Sequence, residues 1–369
     1  MSHTMGMVDV RRFNVATCTG RHGELEVADI QLADVDMWDI NLAEVIKVNG
    51  LAVPADRKLT YRVLRHELRL LLSFLIEAQG EPISLSRADF RASSAHVKRF
   101  ISESFGLGML TAATERHHGW KLNDRDLYNF DVLPVGIAAQ YPGSGIRPDL
   151  LFYFTGPEDE HRLAGEARGR SSARPMLSLT SKDQRDRLAD IVAWSGANDL
   201  HPVTMTYAYT GAAIAQIDLF DVVAPEVLKT DLVVMSADKE GVTTQTGRRF
   251  ERLSSIRQRA LGRVGDIADQ LYATAPEDVS ALRRTVYGHN VRGNWATADL
   301  IAPTRLRFFF GVLDQPLTPA EEAARRGRSR PTQQDADPIQ VASTGRILVV
   351  VARDATQDPS WSEVTSRIE

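Results

Sequence analysis

The chain has 369 residues, of which 43% are hydrophobic, and a formal net charge of −4. This length and composition allow one large domain with extensions or two domains, and the charge excludes a basic coat over the whole surface. Cys18 is the only cysteine, which excludes an internal disulfide and a cysteine-rich zinc site. No run of about twenty apolar residues occurs, so we expect a cytoplasmic protein without a membrane partner.

The N-terminal part of the chain shows strand patterns first and helix patterns afterwards. Alternating polarity within Val8–Val48 predicts short strands, and we assign this strand-rich region to residues 1–57. The broad apolar face of Leu59–Ala78 is the strongest helix pattern in the chain. A further helix is predicted over Ser94–Phe105, and two glycines and a strand-like segment at Met109–Ala113 follow it.

The same region allows a second interpretation. Ser84–Ser93 predicts a short polar helix or turn, and three helices followed by a hairpin are the order of a winged helix-turn-helix. In that case the helix that begins at Ser94 would enter the DNA groove, Gly108–Trp120 would form the hairpin, and Arg116–Gly119 would be its wing. Adjacent residues of a strand point to opposite faces. We therefore predict that the neighbouring His117 and His118 do not share a metal ion.

Two short strands further along the chain each carry an acidic residue. Apolar and aromatic residues over Leu150–Phe154 predict one strand, a polar turn with a Gly-Pro pair follows, and Leu163–Arg170 predicts the returning strand. Asp149 opens the first strand, and Glu166 lies inside the second. Side chains two residues apart leave a strand on the same face, so Glu166 and Arg168 should point together.

A helix and another strand are predicted next, over Ser181–Trp194 and Val203–Tyr209. Residues 161–187 carry seven Lys and Arg against three acids, which makes this segment positive. Exposed helix faces often carry such charge, but it also suits a phosphate backbone. We predict nucleic-acid contacts for four of these cations: Arg162, Arg170, Arg174 and Arg185.

The order Pro148-Asp149, a turn, then Glu166-Ala167-Arg168 resembles the PD-(D/E)XK nuclease superfamily, whose motif has Pro-Asp followed by Asp/Glu-x-Lys. The resemblance covers about Ser94 to Ile217, within a core region that we assign to residues 58–236. It implies an α/β, restriction-endonuclease-like fold with a mixed sheet flanked by helices. It also implies that Asp149 and Glu166 bind Mg²⁺ or Mn²⁺.

The resemblance also suggests three further site residues. Arg168 stands where the family has lysine, and a guanidinium can clamp phosphate but is a poor proton shuttle. Lys182, at the start of the following helix, would supply the missing ammonium group, unless it is an ordinary solvated lysine. The family often adds an acid from the helix before the first core strand, and Glu103 is the best match, with an exposed helix glutamate as the alternative.

The C-terminal region, residues 237–369, contains strand and helix patterns without a recognisable site. A long helix with several arginines is predicted over Arg248–Ala275, and buried strands that pair with each other over Arg305–Val312 and Arg346–Val351. The polar segment near 318–338 predicts a flexible basic loop.

The first hypothesis is therefore metal-dependent hydrolysis of DNA phosphodiesters in restriction, phage defence or repair, with a homodimer or a separate motor protein as partner. The second is a non-catalytic nucleic-acid-binding protein that keeps the nuclease fold or uses a winged helix. A third is a structural hairpin in which Asp149 and Glu166 do not converge.

Overall fold

A computed structural model describes most of the chain. The residues described are 7–21, 23–40, 42–47, 61–76, 83–85, 87–120, 127–133, 135–141, 146–155, 160–175, 180–211, 214–223, 269, 271–275, 284–298, 306–318, 321, 339–344, 346–352, 355 and 357–368.

The described part as far as residue 223 contains nine strands, six α-helices and one 3-10 helix at Phe130–Val132. The strands are β1 (Met7–Thr19), β2 (Leu25–Asp39), β3 (Leu75–Ile76), β4 (Ser84–Leu85), β5 (Leu127–Asn129), β6 (Leu150–Thr155), β7 (Glu160–Arg170), β8 (Val203–Tyr209) and β9 (Gln216–Val223). The helices are α1 (Leu42–Lys47), α2 (Tyr61–Phe74), α3 (Arg87–Ala92), α4 (Ala95–His117), α5 (Val135–Ala138) and α6 (Lys182–Ala197). The elements described beyond residue 223 are β10 (Arg284–Val286), β11 (His289–Thr297), β12 (Arg307–Leu313), β13 (Ile339–Thr344), β14 (Ile347–Ala352) and α7 (Trp361–Ile368).

Seven strands form one mixed sheet in the order β2-β1-β9-β8-β7-β6-β5. Strands β6 and β7 are an antiparallel hairpin, whereas β7 and β8 are parallel and are connected through α6. The strands predicted at Leu150–Phe154, Leu163–Arg170 and Val203–Tyr209 are confirmed, as is the helix at Ser181–Trp194. The α/β class is confirmed too. Strands β1 and β2 belong to this same sheet, so the strand-rich N-terminal region is joined to the predicted core.

Helix α4 is longer than the sequence pattern predicts. It begins after Ser94, whose side chain caps it, and continues without a break to His117. The strand predicted at Met109–Ala113 and the hairpin at Gly108–Trp120 are therefore wrong, and the winged helix-turn-helix is wrong with them. His117 and His118 stand at the end of a helix, so the strand argument that separated them does not apply.

The glycines of α4 allow close packing and do not end the helix. A Cβ atom on Gly106 would lie 2.7 Å from the backbone nitrogen of Gly169 in β7. One on Gly108 would lie 2.2 Å from the carbonyl oxygen of Val45 in α1. Both distances are shorter than van der Waals contact, so only glycine lets α4 approach the sheet and α1 this closely.

The C-terminal strands form a second, antiparallel sheet in the order β10-β11-β12-β14-β13. The predicted pairing of Arg305–Val312 with Arg346–Val351 is confirmed by β12 and β14. One continuous hydrophobic cluster contains residues of both sheets and of α1, α2 and α4. A hydrogen bond joins α2 to the second sheet: the hydroxyl of Tyr61 in α2 donates to the carbonyl oxygen of Phe310 in β12 at 2.6 Å.

Two predictions fall mainly outside the described residues. They are the arginine-rich helix over Arg248–Ala275 and the loop near 318–338. The division of the chain into three regions stays a prediction. Among the helices that the structure describes, none combines the length and the apolar character needed to cross a membrane.

Replacing Gly169 by alanine should destabilise the fold. A Cβ atom there would lie 1.6 Å from the carbonyl oxygen of Ser102 in α4, and neither backbone can move without separating helix and sheet. We expect the free energy of unfolding, measured with urea, to fall by roughly 1–3 kcal/mol or more. Gly20→Ala is the matched control, because the atoms nearest to its Cβ would belong to the side chains of Glu24 and Glu26, which can rotate away. Equal losses in the two variants would contradict the packing argument.

Candidate metal centre

The β6–β7 hairpin brings Asp149 next to Glu166. Leu150 pairs with Gly165, so Asp149, one residue before β6, lies beside Glu166. The backbone N–H of Asp149 donates to the carbonyl oxygen of Gly165 at 3.0 Å. Its carboxyl oxygen Oδ2 accepts from the N–H of Ala167 at 2.7 Å. These two bonds, made to the neighbours of Glu166 in sequence, fix the Asp149 carboxyl group by local backbone geometry.

The side chain of Glu166 is fully buried between two guanidinium groups. Nη2 of Arg168 lies 2.6 Å from Oε1. Arg187 of α6 contacts the same oxygen, with Nε at 2.7 Å and Nη2 at 2.6 Å. The second carboxyl oxygen, Oε2, is buried and has no hydrogen-bond partner among the described residues. One oxygen of Glu166 is thus held by the protein and the other is left for a further ligand.

Burial raises the pKa of both carboxyl groups. For Asp149, desolvation outweighs the hydrogen bond from Ala167 and the charges of Arg168 and Arg187. For Glu166, burial and the negative charge of Asp149 raise the pKa to about 8, although both arginines oppose the rise. Between them the two groups therefore hold a proton up to a higher pH than exposed carboxyl groups do. A divalent cation that replaced this proton would stabilise the ionised form of both groups.

Arg187 was missed as a site residue by the sequence argument. Ser181 and Gln184 form a capping box that fixes where α6 begins. Gln184, Leu188 and Ile191 are buried, and Arg187 lies on the same stripe, three residues after the first and four before the last. That stripe was the available signal, because a cation on the buried side of a helix needs a carboxylate partner.

The structure does not bring Lys182 into the site. It is exposed at the first position of α6 and has no hydrogen bond or ion pair among the described residues. Arg187, five positions later, provides the cation that α6 contributes to Glu166. Lys182 thus matches the alternative of a solvated lysine.

Glu103 lies on the other face of the sheet. A Cβ atom on Gly165 would meet Leu110 of α4, and one on Gly169 would meet Ser102, so the odd-numbered positions of β7 face α4. The even-numbered positions, Glu166 among them, face α6. Glu103 is exposed on α4 and pairs with Arg99 at 2.8 Å. The suggestion that it adds a third acid to the site is wrong, because the sheet separates it from Glu166.

Two of the four predicted nucleic-acid contacts are partly engaged within the protein. Arg162 donates to Oε1 of Gln140 at 2.7 Å, and its guanidinium lies 4.6 Å from the ring centre of Tyr153. Arg170 pairs with Asp183 of α6, and 40% of its side chain is exposed. Arg170 can therefore still contact an external phosphate.

The other two predicted contacts differ sharply in exposure. Arg174 is 8% exposed, and its Nη1 donates to the carbonyl oxygen of Asp9 at 3.1 Å. It also pairs with the Asp9 carboxylate and lies 3.9 Å from Asp218. Its assignment to a nucleic-acid surface is therefore wrong, because its guanidinium is buried in contact with Asp9 of β1 and Asp218 of β9. Arg185 is exposed on α6 and stays a prediction.

Comparison with known proteins gives no relative for this chain. No family model, no curated protein and no solved structure matches it. The chemistry of the site is therefore argued from its geometry. Two converging buried carboxyl groups, one with an oxygen lacking a hydrogen bond, fit a hard divalent cation, which prefers oxygen ligands.

The raised pKa of Glu166 should make stability depend on pH. The folded chain binds this proton more tightly than the unfolded chain, so the stabilisation is complete below pH 4.5 and is lost as the pH rises through about 8. Within that interval the free energy of unfolding falls by at most about 1.4 kcal/mol per pH unit from this group. Glu166→Gln keeps the shape and does not titrate. We expect the Tm of wild type to fall relative to this variant between these pH values, as measured by circular dichroism without divalent cations. If the Tm of wild type and that of Glu166→Gln change with pH in the same way, the raised pKa of Glu166 is contradicted.

Proposed function

We propose that the chain is a metal-dependent nuclease of the PD-(D/E)XK type that hydrolyses phosphodiester bonds of DNA. The observation that carries this proposal is the convergence of Asp149 and Glu166 at one end of a hairpin. The pair retains a proton because two desolvated carboxylates side by side would repel each other. A bound divalent cation would take the place of that proton and would contact Oε2 of Glu166.

The order of elements also supports a restriction-endonuclease-like fold. Strands β6 and β7, helix α6 and strand β8 follow one another, as the resemblance requires. Helix α4 packs on the face of β7 opposite to α6. The sheet around the acid pair is therefore mixed and flanked by helices on both sides.

The residues around the acid pair divide the chemistry among them. Asp149 and Glu166 would hold Mg²⁺ or Mn²⁺, which when bound supplies Lewis acidity towards phosphate and lowers the pKa of water. The side chain of Arg168 is 35% exposed, so its guanidinium can donate to a phosphate oxygen while it contacts Glu166. Arg187 is 14% exposed and orients the Glu166 carboxylate. The exposed Arg185 and half-exposed Arg170 would contact the DNA backbone.

A non-catalytic nucleic-acid-binding protein is the second candidate, and the two arginines favour it. Arg168 and Arg187 place two positive charges on one oxygen of Glu166, enough to balance the two acids even when both are ionised. Such a site would repel a second cation more than a site with a single lysine does. It would then grip a phosphate through Arg168 without cleaving the bond.

Removing either acid should abolish cleavage. We expect wild type to cut supercoiled plasmid DNA with Mg²⁺ or Mn²⁺ and to stop with a chelator. Asp149→Asn and Glu166→Gln should each lower the rate roughly a hundredfold or more, because several kcal/mol of charge stabilisation in the transition state are lost. Gel electrophoresis of the plasmid forms measures the rates.

Glu103→Gln is the matched control for these variants. It makes the same chemical change at an exposed residue on the opposite face of the sheet, so its rate should equal that of wild type. If wild type leaves supercoiled, linear and single-stranded DNA intact with every metal, but binds DNA with steep salt dependence, the nuclease proposal fails and the binding protein replaces it.

The arginine at the motif position can be tested by restoring lysine. In Arg168→Lys, an ammonium group on the same strand face can contact phosphate and exchange protons with water, which a guanidinium does poorly. We expect its cleavage rate to equal or exceed that of wild type. Arg99→Lys, the same change at an exposed arginine of α4 on the opposite face of the sheet, should leave the rate unchanged. Loss of cleavage in Arg168→Lys alone would show that the guanidinium fork itself is required.

A further inference from the structure

A second group of metal-ligand side chains lies where α4 ends on the sheet. Nε2 of His117 lies 2.6 Å from Oδ2 of Asp221, and Nε2 of His118 lies 3.2 Å from Oδ1 of the same carboxylate. One ligand atom from each of the three residues lies within 4.8 Å of the others. Their side chains are 19–24% exposed, so an ion from solvent can reach them.

This group, which we call the histidine cluster, is separate from the acid pair. Gly165 of β7 is in register with Thr204 of β8, which is in register with Asp221 of β9. Residues in one such row point to the same face, and Gly165 faces α4. Glu166 faces α6. The histidine cluster and the acid pair therefore lie on opposite faces of the sheet.

The geometry of the cluster leaves one buried ring nitrogen available to an ion. Nε2 of His118 is buried and makes no hydrogen bond among the described residues, although Asp221 is near. An ion bound between the three side chains would use this nitrogen in place of its 3.2 Å contact with Asp221.

One neighbouring group opposes a cation. Nη1 of Arg12 lies 3.4 Å from Nδ1 of His117, while Nη2 donates to Asp34 at 2.5 Å. A metal ion on Nε2 of His117 requires the ring proton to be on Nδ1. That N–H would then face the N–H group of Arg12, and two donors cannot form a hydrogen bond with each other. The guanidinium would then turn towards Asp34. Thr204, whose hydroxyl lies 3.4 Å from Oδ1 of Asp221, is compatible with the ion because it donates to the carboxylate.

We propose that His117, His118 and Asp221 form a binding site for a divalent transition-metal ion of the zinc class. Two imidazole nitrogens and one carboxylate oxygen suit Zn²⁺ and Co²⁺, whereas Mg²⁺ prefers an all-oxygen shell. Three protein ligands leave a position for water. The bound ion ties the C-terminal end of α4 to β9 and adds a link between this helix and the sheet.

The test is metal binding by the full chain after removal of metals with a chelator. Calorimetric titration of Glu166→Gln, which removes the acid pair as a competing site, should give one Zn²⁺ site per chain. Co²⁺ should give the visible absorption bands of a site with nitrogen ligands, and Mg²⁺ should not compete at this site. Loss of a residue that only hydrogen-bonds to a metal ligand lowers metal affinity about 10–100-fold. Because His117→Ala or Asp221→Asn changes a ligand itself, each should lower the affinity for Zn²⁺ at least about 100-fold.

Three further variants keep the test decisive. His118→Gln removes a nitrogen that makes no hydrogen bond, so this variant should fold like wild type and still lose zinc affinity. Glu166→Gln, at the acid pair, and His96→Ala, an exposed histidine of the same helix, should bind Zn²⁺ at the histidine cluster as wild type does. Arg12→Gln should bind it about tenfold more tightly, because an opposing charge next to a ligand is removed.

Two results would overturn the proposal. One is a wild-type chain that takes up no Zn²⁺. The other is a folded His118→Gln variant that binds Zn²⁺ as tightly as wild type, which would place the ion elsewhere.

Discussion

The two-sided packing of β7 is the constraint on which the rest of the structure depends. On one face, a carbon atom added to Gly169 would collide with the backbone of α4, and one added to Gly165 would meet the side chains of Phe152 and Leu110. On the other face, Glu166 and Arg170 meet α6 through ion pairs with Arg187 and Asp183. Strand β7 therefore packs closely against α4 on one face and makes charged contacts with α6 on the other. Because its side chains alternate, neither face can shift in register without exchanging the two sets.

Buried charge continues along the α6 face of the sheet. Nε of Arg11 in β1 lies 2.7 Å from Oδ1 of Asp218 in β9, with both side chains at most 1% exposed. The guanidinium of Arg11 binds this carboxylate through two nitrogens, since its Nη2 also donates to Oδ2 at 2.7 Å. Gln184 of α6 donates to the same Oδ2 at 2.8 Å. Two charges removed from water need such complete pairing to offset their desolvation. This network joins the N-terminal strand to the helix that carries Arg187, so it also sets where Arg187 meets Glu166.

The candidate acid pair was predictable because it depends on short-range geometry. Strong apolar runs predicted β6 and β8, and a hairpin between Asp149 and Glu166 leaves few ways for the chain to return. The two-residue spacing of Glu166 and Arg168 placed them on one face, and they are in contact at 2.6 Å. The continuity of α4 was not predictable in this way. Its glycines looked like a helix end, but their role depends on a strand and a helix that are distant in sequence.

The sequence by itself determined the α/β class, the order of elements around the acid pair and the approach of its two carboxyl groups, since these follow from patterns within a few residues. Only the tertiary structure decided which cation of α6 reaches Glu166, on which face Glu103 lies, and that Arg174 is buried. It also decided that two neighbouring histidines meet Asp221, more than a hundred residues away in sequence. The physical reason is that burial and pairing depend on long-range packing, whereas periodicity depends on the local backbone.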